Sequence, residues 1–163
     1  SSLCEDDMVD TCRELLAGPK TIHLPYDITA LGPGGTLFEP EAGGEVRQMG
    51  ADLPDGWMGV DIGPGSAAAF GDVIHEAGTV LWNGPMGVFE DPRFGGGTGA
   101  VAQAMADTKA FTIVGGGDSA AAAKQFGVDK DMDHVSTGGG ASLELIEKGD
   151  LPGLEALRGA SNA

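Results

Sequence analysis

Basic residues are scarce in this sequence: nine Lys and Arg stand against 25 Asp and Glu in 163 residues, a formal net charge of −16. A chain this negative repels a duplex backbone and has no Lys/Arg cluster to contact phosphates, which argues against nucleic acid and anionic membrane surfaces as partners. Long apolar runs are missing too. None approaches the roughly 18 residues of a membrane span, and the polar opening Ser1–Asp10 is no signal peptide. Cys4 and Cys12 are the only cysteines. Two cannot build a disulfide framework and read as free thiols in a reducing cytosol. Glycine, by contrast, supplies 29 of the 163 residues, where roughly 7% is usual. No Gly-X-Y period accompanies it, which excludes collagen, and 41% apolar content excludes a disordered tail. A chain of this length buries roughly 70% of its unfolded surface, enough for one core, so one domain is expected.

Two apolar patterns alternate from about residue 57 onward. Strand-like runs are Met58–Ile62, Thr79–Trp82, Phe111–Val114 and His134–Ser136. Helical stretches lie between and after them, near Ser66–Glu76, Thr98–Ala106, Ser119–Phe126 and Ala141–Glu147. This order predicts an α/β fold, a Rossmann-like parallel sheet with helices on both faces. In the first fifty residues a helix is expected over Met8–Leu16, ended by Gly18-Pro19, and a strand over Lys20–Leu24. Ile28–Leu31 and Gly44–Met49 suggest a hairpin beside the main sheet. Leu151–Leu157 reads as a last short helix. So few strands make about half of a doubly wound sheet.

Gly115-Gly116-Gly117-Asp118-Ser119 follows an apolar strand and precedes an alanine-rich helix. The glycines let the backbone approach a phosphate, and the helix start directs free N–H groups and a positive dipole end at the same point. Asp118 repels a bare phosphate but suits one carrying Mg²⁺. The competing reading is a tight turn with Asp118 as N-cap. Ser136-Thr137-Gly138-Gly139-Gly140-Ala141 repeats the arrangement after the next strand, placing a second helix N-terminus at the ligand-binding edge of such a sheet. Backbone amides and a metal then replace the missing Lys/Arg as the source of positive potential.

Asn83-Gly84-Pro85-Met86-Gly87-Val88-Phe89-Glu90 closes another strand. It offers Asn83 and Glu90 as hydrogen-bonding groups, though pattern alone favours a structural turn. Gly63-Pro64-Gly65-Ser66-Ala67-Ala68 imitates a dinucleotide fingerprint. Pro64 removes an N–H, and no acidic residue closes the next strand, so a helix-starting turn is preferred. A Walker A loop needs Gly-Lys-Ser/Thr, which does not occur. His23, His75 and His134 have no metal-ligand spacing, and no Ser-His-Asp arrangement is assignable.

The segments Leu81–Glu90, Gly115–Ser119 and Ser136–Leu145 together resemble phosphoglycerate kinases. Asp55-Gly56-Trp57-Met58-Gly59-Val60-Asp61-Ile62-Gly63-Pro64 and Leu151-Pro152-Gly153 add to the likeness, in family order and spacing. The resemblance is near-continuous from about residue 52 and loose before it. It implies phosphoryl transfer between ATP and 3-phosphoglycerate with Mg²⁺, in glycolysis and in the cytoplasm, by a protein that is monomeric when full length. It further implies that Glu90 holds the ribose hydroxyls, that Gly59, Val60 and Val88 line the adenine pocket, and that Pro85 lies near the ribose. Asn83 would run along the phosphate chain. Gly116, Gly117, Asp118 and Ser119 would meet the phosphates, with Asp118 toward Mg²⁺. Gly138, Gly139 and Gly140 would present a helix end to the transferring phosphoryl group.

The family's proteins have two domains, and this chain matches the later part of the C-terminal, nucleotide-binding one. The basic patch for 3-phosphoglycerate and the Gly-Gly-Ala-Lys segment that brings lysines to the phosphates have no counterpart here. The lack of an opening Met fits a chain cut from a longer one. Residues 1–163 are therefore expected to form one partial nucleotide-binding domain, inactive alone. The alternatives are a stand-alone nucleotide-binding module without kinase activity and an acidic, non-binding remnant adapted to high salt.

Overall fold

The computed structural model describes residues 5–136 and 138–160. Cys4 and Thr137 lie outside them, while Cys12 is an exposed free thiol. The chain divides into two compact units. The first takes the chain up to Val73 together with Met86–Val101, and the second takes Ile74–Pro85 and the chain from Ala102 onward.

The first unit begins with a 3-10 turn at Asp6–Met8 and helix α1 (Val9–Ala17), which buries no residue. Strands β1 (Asp27–Leu31), β2 (Val46–Gly50) and β3 (Met58–Ile62) form an antiparallel sheet in the order β2-β1-β3. The expected hairpin is thus present, with Ala30 opposite Arg47 and Leu31 opposite Val46. β1 ends on Ala30 and Leu31, both almost fully buried. Leu31 packs with Val60 and Phe94 into a core that Leu37, Met58 and Val88 extend. The edge strand β2 keeps Arg47 and Gln48 in solvent, where their polarity suits an unpaired edge.

Two expectations need correction here. Residues 20–24 carry no regular structure, and Ile22 and Leu24 are exposed. An apolar run becomes a strand only where a neighbour pairs its backbone and covers its side chains, and among the described residues neither happens. Met58–Ile62 is a strand with the expected bounds, but β1 pairs with it antiparallel, Ile28 facing Ile62 and Leu31 facing Met58. The residues of a strand specify burial well and partner direction poorly.

The second unit holds the parallel sheet. Strands β4 (Thr79–Trp82), β5 (Phe111–Gly115) and β6 (His134–Ser136) lie in that order, with Trp82 beside Val114 and Gly115 beside Ser136. Helices α4 (Gly117–Gln125), α5 (Gly139–Lys148) and α6 (Pro152–Ala160) follow. Helices α2 (Pro64–Glu76) and α3 (Gly96–Asp107) start in the first unit and end in the second. The fold is α/β, and α4 sits against β5 and β6. Because its strands are parallel, the unit gathers the turns after β4, β5 and β6 at one sheet edge. Among the described residues no helix is long and apolar enough to cross a membrane.

Candidate functional site

That edge carries a cleft of about 330 Å³ in the second unit. Asn83 and Gly84 line it from the turn after β4, Gly115 to Ser119 from the end of β5 and the first turn of α4, and Gly139, Gly140 and Leu143 from the start of α5. The sequence-predicted Asn83, Gly116, Gly117, Asp118, Ser119, Gly139 and Gly140 are therefore brought together. Gly138 is the N-cap of α5. Pro85 is half-buried just past Gly84.

The close approach of the two glycine turns explains their composition. Gly116 donates its N–H to Ser136 O at 2.9 Å and has φ +100°, a conformation L side chains avoid. A Cβ on Gly139 would fall 2.9 Å from Gly116 Cα and 3.1 Å from Asn83 Oδ1. A side chain at Gly139 therefore cannot enter without moving backbone.

Ser119 has a second role that sequence alone does not reveal. It is fully buried, and its Oγ accepts the Gly84 N–H at 2.6 Å. Trp82 Nε1–H donates to Gly84 O, also at 2.6 Å. The turn after β4 is thereby clamped to the first turn of α4 and to its own strand. Asp118 stands exposed on that first turn.

Helix starts differ in how their free N–H groups are satisfied. Asp27 accepts the N–H of Gly65 at 2.9 Å and of Ser66 at 2.6 Å, closing the start of α2. Those bonds, led by the one from the Ser66 hydroxyl, hold the Asp27 carboxyl below its ordinary value. Asp61 accepts the N–H of Gly97 at 2.7 Å and of Ile62 at 2.9 Å, closing the start of α3. It is 5% exposed, and burial pushes its carboxyl up against the lowering effect of the two bonds. By contrast, α4 and α5 start at Gly116 and Gly138 with no side-chain cap. The cleft therefore has two uncapped helix starts on its wall and no Lys or Arg among its described lining residues. Such a site offers an anion backbone N–H groups and dipole ends.

The remaining expected residues belong to the first unit. Val88 donates its N–H to Val60 O at 3.0 Å, and both side chains join the Leu31–Phe94 core. Gly59 and Val60 also border a hollow of about 390 Å³ with Ile28, Leu53 and Met86. Glu90 is exposed, between the buried Phe89 and Asp91. His23, His75 and His134 are all exposed. Among the described residues no three His, Cys, Asp or Glu are grouped to hold a metal. Sequence reading missed the half-buried carboxylate Asp27 and the buried carboxylates Asp61 and Asp91. Asp61 did carry a signal, since a charged residue inside Val60-Asp61-Ile62 demands buried partners.

A family model described as phosphoglycerate kinase matches residues 1–149. A phosphoglycerate kinase of Corynebacterium urealyticum is 52% identical over 96% of this chain, and one of Trichodesmium erythraeum is 49% identical over the same share. The chain spans 39% of the length of either relative. Among solved structures, phosphoglycerate kinase from Coxiella burnetii superposes with a TM-score of 0.83 at 34% identity, over 95% of this chain and 40% of that one. The enzyme from Pyrococcus horikoshii gives 0.76 at 32% identity, over 93% of this chain and 36% of that one.

Proposed function

The chain belongs to the phosphoglycerate kinase family, and from that premise we propose that it supplies the nucleotide side of phosphoryl transfer between ATP and 3-phosphoglycerate, a glycolytic step of the cytoplasm. Residues 1–163 then form part of one nucleotide-binding domain. The contrast between helix starts supports this reading most strongly: α2 and α3 are closed by Asp27 and Asp61, while α4 and α5 open onto one cleft.

In this reading the bare backbone at Gly116 lets the phosphates approach closely, the N–H groups at Gly117 and the start of α4 cradle them, and Asn83 lies along them. Ser119 fixes the cradle through Gly84 and lines its floor. Gly138, Gly139 and Gly140 direct the start of α5 at the transferring group, where developing negative charge is stabilised by donors already in place. In the first unit Gly59, Val60 and Val88 give apolar surface for the base, and Glu90 accepts from the ribose hydroxyls, near which Pro85 lies.

Asp118 fits Mg²⁺ of the kind carried by a nucleotide. That ion commonly keeps several waters and binds through one or two carboxylates plus substrate phosphates, so an isolated exposed carboxylate at the cleft suffices. When bound, Mg²⁺ would neutralise phosphate charge that this cleft cannot neutralise with cationic side chains.

Phosphoryl transfer depends on positioning and charge neutralisation, and the cleft has no described cationic lining. The chain by itself is expected to form no ATP from 1,3-bisphosphoglycerate and ADP, and measurable turnover overturns that expectation. Calorimetric titration with ADP tests the binding reading. Saturable binding strengthened by Mg²⁺, with the Mg²⁺-dependent part lost in Asp118→Ala, is the expected result. A chain folded by circular dichroism that binds no ADP contradicts it.

A further inference from the structure

Asp91 is fully buried, yet it lies one residue from the exposed Glu90. Its carboxylate accepts four hydrogen bonds. Arg93 supplies three, from Nη2 at 2.7 Å, Nε at 3.0 Å and its backbone N–H at 3.1 Å. The fourth comes from the Phe38 N–H at 2.8 Å. The Arg93 side chain beside it holds the Asp91 carboxyl far below the ordinary carboxylate range.

Arg93 Nη2 also donates to Thr36 O at 2.8 Å, and its guanidinium lies 4.9 Å from the Phe94 ring centre. The 36–38 segment is thus held at two points. Phe38, at one of them, has φ +65°, the one described non-glycine residue with positive φ. Such a conformation persists only where surroundings over-determine it. On the other side, Asp91 N–H donates to Val88 O at 3.0 Å, and Val88 N–H ties the turn to β3 through Val60 O. Glu90 is therefore carried on a turn fixed at both ends.

We infer that the Asp91–Arg93 pair is a positioning device for Glu90, making the turn rigid enough for its carboxylate to grip the two vicinal hydroxyls of a nucleotide ribose. The inference rests on the nucleotide reading above. A carboxylate on a mobile turn loses ordering entropy on binding, whereas one held in place keeps that part of the affinity.

The test compares ADP with 2′,3′-dideoxy-ADP, which lacks both hydroxyls, by calorimetry on the wild-type chain, Arg93→Gln and Arg93→Lys. Two hydroxyls on a carboxylate give wild type a preference for ADP of about tenfold. Arg93→Gln is expected to reduce that preference below about twofold while dideoxy-ADP affinity stays within about twofold. Arg93→Lys, which keeps the charge beside Asp91, restores part of it. A general structural role predicts equal loss for both nucleotides, and that result overturns the inference, as does full discrimination retained in Arg93→Gln. If wild type shows no ADP preference, or a folded wild type binds neither nucleotide, Glu90 has no ribose role and the inference falls together with the reading beneath it. An unfolded Arg93→Gln leaves the decision to Arg93→Lys, where undiminished preference counts against positioning.

Discussion

Two pairs of helix starts, one pair in each unit, treat the same chemical problem, the free N–H groups where a helix begins, in opposite ways. In the first unit carboxylates from β1 and β3 reach across to the starts of α2 and α3. The fit is tight enough that a Cβ on Gly97 would fall 2.4 Å from Asp61 Oδ1. In the second unit no side chain takes that place at α4 or α5, and the glycines bring the two helix starts together around a cleft. Glycine thus serves closure in one unit and access in the other. A glycine-rich turn identifies a close approach; only the presence or absence of an internal anion distinguishes a structural approach from one available to a ligand.

Gly139→Val is expected to break the open side of this contrast most severely. Its side chain enters where a Cβ alone would be 2.9 Å from Gly116 Cα. ADP affinity should fall more than about tenfold, roughly 1.4 kcal/mol, in calorimetry. Amide exchange at Gly65 and Gly97 should stay unchanged. Unaltered ADP affinity would mean that the turn after β6 takes no part in binding.

Asp61→Ala acts on the closed side. It leaves the N–H groups of Gly97 and Ile62 without their acceptor in a buried place. A loss of about 1–3 kcal/mol in urea unfolding is expected, and a loss under about 0.5 kcal/mol would show that water replaces the carboxylate.

The smallest effect sharpens the comparison within the first unit. Asp61 and Asp91 are both buried but shift in opposite directions, Asp61 upward through burial and Asp91 downward through Arg93. With its folded value depressed, Asp91 contributes stability that is complete above about 3.9 and lost as pH falls toward that folded value. With its folded value raised, Asp61 favours the fold when protonated, and that contribution is lost as pH rises from about 3.9 through the folded value. Carboxyl carbon shifts followed by NMR should therefore give midpoints on opposite sides of 3.8, the ordinary value of both. Midpoints on the same side contradict the assigned causes.

Much of the fold is readable in the sequence because the buried strands are short apolar runs bounded by glycine turns. Met58–Ile62, Thr79–Trp82 and His134–Ser136 have the bounds their patterns predict. The starts of α3, α4 and α5 are read two residues late, as at α4, where Gly117 already belongs to the helix, since glycine's low helix propensity hides its place in the first turn; those of α1 and α6 are read one residue early. Strand direction is readable for β4, β5 and β6, which alternate with helices and pair parallel, but not for β3, which carries the same apolar signal whether its neighbour runs parallel or antiparallel. The cleft's residues are visible as glycine clusters. What closes the competing helix starts is not, since Asp27 and Ser66 meet across 39 residues of chain.

The most direct test is a proton–nitrogen NMR titration of the chain with ADP and Mg²⁺, read at the amides that begin four helices. The account predicts saturable shifts at Gly117, Asp118 and Gly140, and none at Gly65, Ser66 or Gly97, whose N–H groups already face carboxylates. Equal shifts at both sets, or a folded chain whose α4 and α5 amides do not respond, would contradict it.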